Sequence, residues 1–172
     1  LSELSLAPTL GGRTVRDALT KSRVLSPDQK DTALDMLALV HANFMRLKES
    51  DSPADPQVSG WAHIRDEPGW GLAVAERAGL SQAQTFGAII GSTFTDAGKG
   101  PTNFLTHNVD GAHAFLQQAP KLFDLNSAEG TKTAEGIYRA ILEHQISPPK
   151  FMSTMVNLFG GGAITGKLPK RL

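Results

Sequence analysis

The sequence predicts an all-α fold, a single irregular or orthogonal bundle of six or seven helices spanning residues 1–172. Three observations carry this. Apolar residues recur at spacings of three and four through most of the chain. Several of these runs open on Ser or Thr and close on Gly, as capped helices do. No stretch alternates apolar and polar residues in the manner of a half-buried strand.

The elements follow in order. Residues 1–12 read as a loose end. Thr14 with Asp17 makes a capping-box-like start for a short helix carrying Val15, Ala18 and Leu19. Ser26, Pro27 and Gln29 form a stronger start: a cap, a first-turn proline and a side chain that reaches back. The run behind it sets Leu34, Leu37, Val40, Phe44 and Leu47 on one face, so a helix is expected over 27–49. Residues 50–69 are rich in Pro, Asp and Gly and read as a long loop. A helix resumes at Trp70 with Leu72, Ala75 and Ala78 and is capped by Gly79. Ser81 with Gln84 opens the next, with Phe86, Ile89, Ile90 and Phe94 as its stripe and Gly87 and Gly91 four apart. Residues 95–101 read as a loop. A helix over 102–118 buries Leu105, Val109, Ala112 and Leu116 and is stopped by Pro120. Asn126 with Glu129 caps another, which carries Ile137, Tyr138, Ile141 and Leu142. Pro148 and Pro149 open a last helix that ends at Gly160, and 161–172 reads as a loose tail.

Composition bounds the function by exclusion. The 172 residues carry 17 basic and 17 acidic side chains, so the balance of zero argues against general nucleic-acid binding. With no Cys, disulfide scaffolds, thiolate metal sites and thiol catalysis are excluded. No apolar run approaches the ~20 residues of a membrane span. The expectation is a soluble chain, cytoplasmic or secreted without disulfides. The first residue is Leu rather than Met, which reads as a processed product or a piece of something longer. Residues 1–10, interrupted by Glu3 and Pro8, lack the pattern of a signal peptide.

Two motifs lack the context their chemistry needs. Residues 161–167 match G-x-x-x-x-G-K, but Leu168 stands where a phosphate loop has its hydroxyl, and Pro169 follows it. Gly98, Lys99, Gly100 and Pro101 offer amides and one cation to an anion, yet compose an ordinary interhelix turn equally well. Arg13 or Arg16 as an inserted arginine finger rests on too common a pattern, and Glu67 with Glu76 as a carboxylate pair on too little geometry.

The leading expectation is a non-enzymatic binding module that recognises a protein partner through the 51–70 loop and adjoining helix faces. Trp61, His63, Arg65 and Trp70 are the candidates there, since aromatic and Arg side chains dominate binding hot spots. The alternative is a metal- or haem-dependent enzyme using zinc or iron. Its candidates are His107, Asp110 and His113 on the 102–118 helix, joined by Glu143 or His144. His107 and His113 are six apart, off the spacing of four that a helical ligand pair needs, so a further ligand must come from elsewhere. His41, on the apolar face of the longest helix, is the candidate axial haem ligand. A third reading, a carrier of an apolar ligand, requires an interior cavity of ~300 Å³ or more.

Overall fold

The computed structural model describes residues 14–48, 61–99 and 106–144. Within these it holds six helices and no strand: α1 (Val15–Lys21), α2 (Pro27–Lys48), α3 (Trp61–Arg77), α4 (Gln82–Phe94), α5 (His107–Leu122) and α6 (Ala128–Glu143). The helix expected to open at Pro148 lies outside the described residues, as do both loose ends. No helix among the described residues is long and apolar enough to cross a membrane.

The caps form as their residue types require. Thr14 Oγ1 accepts from the Asp17 amide at 3.1 Å, and Ser26 and Gln29 bond reciprocally at 3.2 and 3.1 Å. Ser81 and Gln84 make a full capping box. Gly79 takes the left-handed conformation, φ +66°, that ends α3. The cap of α6 is Ser127 rather than Asn126. Ser127 Oγ accepts from the Gly130 amide at 3.0 Å, while the Asn126 amide turns back to Asp124 Oδ1.

Helix α4 is the central element and packs on α2, α3, α5 and α6. Every residue from Thr85 to Phe94 is buried, which is why this helix is apolar around most of its circumference. Leu19, Leu37, Ile64, Ile89, Ile90, Phe115, Ile137 and Ile141 fill the space around it.

Two boundaries depart from the sequence reading. The expected loop over 50–69 is helical from Trp61 onward, because Ile64, Pro68, Leu72 and Ala75 form one buried stripe at helical spacing. Pro68 removes one backbone hydrogen bond, but its ring is buried and the tertiary contact offsets the loss. Nor does Pro120 stop α5. Buried Ala119 anchors the last turn, and the Phe123 amide closes it on the Ala119 carbonyl at 2.9 Å.

Candidate metal centre

Four segments far apart in sequence meet at Asp96. This residue sits in the turn after α4, its side chain only 3% exposed. The turn is fixed from within. Thr95 Oγ1 donates to the Ser92 carbonyl at 2.8 Å, and the Lys99 amide donates to the Asp96 carbonyl at 2.9 Å. It is also held against α5 by two glycines. A methyl on Gly98 would lie 2.8 Å from the Gly111 amide nitrogen and 2.9 Å from the His107 carbonyl oxygen. A methyl on Gly111 would overlap the Phe94 carbonyl oxygen. Only bare backbone lets the turn come this close to α5, and the close approach is what sets Asp96 against the start of that helix.

Asp96 Oδ1 faces two imidazoles. His107, the first residue of α5, brings Nε2 to 2.8 Å, and His144, at the C-terminal cap of α6, brings Nε2 to 3.4 Å. The two Nε2 atoms are 3.1 Å apart and the rings meet edge to face. Asp96 Oδ2 faces the other way, toward Lys99 Nζ at 2.8 Å and His63 Nε2 at 3.2 Å. His63 and Glu67 lie one turn apart on α3, and Nε2 is 3.3 Å from Glu67 Oε1. The second oxygen of Glu67 shares the single Thr95 hydroxyl proton with the Ser92 carbonyl.

The ring of His144 is oriented from behind. Its Nδ1 lies 2.6 Å from the Ile141 carbonyl oxygen, which can only accept, so Nδ1 carries the proton. In the neutral ring the Nε2 lone pair then points at Asp96 and His107. An imidazole whose far nitrogen donates to a backbone carbonyl is the arrangement found behind metal-ligating histidines. Asn108 braces the same corner, its amide donating to the Leu142 carbonyl at 2.7 Å.

Electrostatics follow from the geometry. Burial pushes the Asp96 carboxyl up, but donors on His107, His144, His63 and Lys99 together hold it far below the usual carboxylate range. His63 is raised to about 9 by its bonds to Asp96 and Glu67. Burial acts to lower His144, and its bonds to Asp96 and the Ile141 carbonyl outweigh this, so it too is raised. Glu67 is raised by burial, against the hydrogen bond from His63. Gathering these groups out of water is costly, and titratable groups perturbed together in this way concentrate at functional sites.

The donor atoms form two sets that share Asp96: Asp96, His107 and His144, and His63, Glu67 and Asp96. Within each set they lie within 4.8 Å of one another. A cation bound at the ~2.0–2.1 Å usual for imidazole and carboxylate ligands sets neighbouring donors roughly 3 Å apart, which matches the first set.

The sequence candidates fall unevenly around this centre. His107 and His144 are in it. Asp110 and His113 are exposed on α5 and belong to neither set; the helix turns His113 away from His107, while Asp110, one turn on along the same side, is solvent-exposed. Glu143 and His41, both half-buried, are also outside both sets. Of the expected partner loop, 51–60 lies outside the described residues and Trp61 opens α3. His63 joins the centre, and Arg65 is buried with Nε 2.8 Å from Asp66 Oδ1. Trp70 is well exposed, its ring edge-on to His63 at 5.9 Å. Asp96 and Glu67 were missed as ligands, although His63 and Glu67 four apart on a helix are a readable pair.

Comparison with protein-family models, with curated proteins and with solved structures gave no match.

Proposed function

We propose that this chain is a metal-dependent enzyme whose divalent cation is held by Asp96 Oδ1, His107 Nε2 and His144 Nε2. The observation that carries the reading is the convergence of these three atoms at 2.8, 3.1 and 3.4 Å, with His144 oriented from behind by the Ile141 carbonyl. Two imidazoles and one carboxylate suit zinc or iron(II), and three protein ligands leave a coordination position open.

Hydrolysis is the reaction class this favours, because an open position on such an ion activates water. The water oxygen bonds to the electrophilic carbon or phosphorus as the bond to the leaving group breaks, and the released proton ends on the leaving group. The chain supplies the shape of the site. Asp96 and His107 are buried, and His144, its side chain 15% exposed, is the most accessible of the three ligands.

An apolar-ligand carrier has less support. A cleft of about 350 Å³ near the start of α4 is lined as much by polar side chains, among them Asp28, Gln29 and Lys121, as by apolar ones, among them Phe86, Leu122 and Phe123, so it is not the dry interior an apolar ligand needs.

The test is elemental analysis of protein purified without chelator, coupled to hydrolysis of chromogenic phosphate and carboxylate esters. The reading expects near-stoichiometric zinc or iron, and activity lost with chelator and restored with metal. Protein that neither retains nor takes up a divalent ion refutes it.

A further inference from the structure

The geometry points to a second divalent-cation site on the other face of Asp96, formed by Asp96 Oδ2, His63 Nε2 and Glu67 Oε1, so that Asp96 bridges two metals. This rests on the proposed metal at His107 and His144 and extends it.

Four observations support it. The Asp96 carboxylate is engaged on both oxygens by different partners, and a bridging carboxylate must present one oxygen to each metal. His63 Nε2 lies 3.2 Å from Asp96 Oδ2 and 3.3 Å from Glu67 Oε1, the spacing of neighbouring ligands on one cation. The Thr95 hydroxyl holds the remaining oxygen of Glu67, and Thr95 is the residue next to Asp96, so one turn positions both carboxylates. Finally, the two donor sets share one carboxylate, so ions in both would be held close together, as in two-metal hydrolytic centres.

The two sites are not equivalent. The second has two carboxylates and one imidazole, a harder set suited to manganese or iron(II). Lys99 Nζ stands 2.8 Å from Asp96 Oδ2 with its side chain 6% exposed, so an ammonium already occupies the oxygen the second cation needs. The second ion therefore binds after the first and more weakly. Lys99 sets that difference, since a unit positive charge a few ångströms away costs the incoming ion at least about tenfold in affinity.

The experiment titrates metal-free full-length protein with manganese(II) alone, counting bound ions calorimetrically and by electron paramagnetic resonance. Wild type is expected to bind two ions per chain, the second more weakly, with a spin-coupled signal appearing as it binds. His63→Ala and the milder Glu67→Gln should each keep the first ion and lose the second with its coupling. Lys99→Gln should tighten the second at least about tenfold. One ion per chain, unchanged in Glu67→Gln, overturns the second site and leaves the first standing. No bound manganese overturns the second site, and the metal reading itself falls if zinc and iron(II) also fail to bind. Loss of both ions from a folded Glu67→Gln protein also overturns the bridged pair, because it would make the five ligands one site.

Discussion

Gly111→Ala tests how the centre is assembled. Gly111 lies one turn beyond His107 on α5, and its added methyl would overlap the Phe94 carbonyl oxygen and sit 3.0 Å from the Thr95 carbonyl oxygen. Both obstacles are backbone atoms, so no side chain can swing aside. The 94–98 turn must retreat by about 1 Å in a close-packed interior. The His107 Nε2–Asp96 Oδ1 separation is 2.8 Å, and such a retreat takes it beyond hydrogen-bonding range. Overpacking costs about 1–3 kcal/mol, and the helix gains back about 1 kcal/mol when Ala replaces Gly. Net stability should thus fall by no more than about 2 kcal/mol, while metal affinity falls about tenfold to a hundredfold, as when supporting contacts of a metal site are lost. Urea unfolding and zinc titration of the same preparation separate the two. Gly79→Ala is the control: its φ of +66° makes it destabilising, but no atom lies within 4 Å of the new methyl, so zinc affinity should not change. Wild-type zinc affinity in folded Gly111→Ala protein would refute the argument.

Asp96→Asn removes the negative charge that all three imidazoles and Lys99 face, and metal-free protein should lose about 3 kcal/mol or more in denaturant unfolding. The pH dependence should have opposite signs with and without metal. His63 is raised from 6.5 to about 9 on folding, so its protonation stabilises the metal-free fold fully below pH 6.5 and ceases to do so as pH rises through about 9; His144 acts in the same direction. Zinc needs its imidazole ligands deprotonated, and His144, one of them, is raised above 6.5 on folding, so zinc affinity should rise as pH climbs above 6.5 and the gap between metal-free and zinc-loaded melting temperatures should widen with it. A gap that narrows would contradict the assignment. Ser81→Ala breaks the capping box of α4 and should cost about 1 kcal/mol without changing zinc stoichiometry, as measured by thermal melting and metal analysis.

The helices were legible where local chemistry and packing agree. Ser26, Ser81 and Gly79 mark boundaries through side-chain caps and a left-handed turn, which act within a few residues. The start of α3 was hidden because Pro68 and Gly69 argue locally for a loop, whereas the buried stripe Ile64, Pro68, Leu72 argues for a helix only once α4 is there to receive it. That misreading also concealed the spacing of His63 and Glu67. Asp96 was harder still. Between Thr95 and Gly98 it looks like any turn residue, and its role exists only because Gly98 and Gly111 bring α5 onto that turn. His107 was visible as a candidate, but its partners come from α6 and the turn after α4 rather than from its own helix, a juxtaposition that no spacing along the chain encodes.

The measurement that bears most directly on the metal centre is zinc affinity by competition with a chromophoric chelator, in wild type, His107→Ala and His113→Ala. Both histidines are on α5, one facing Asp96 and the other exposed. The account predicts tight zinc binding by wild type and His113→Ala, and its loss in folded His107→Ala. Equal affinities in all three, or none in wild type, would contradict it.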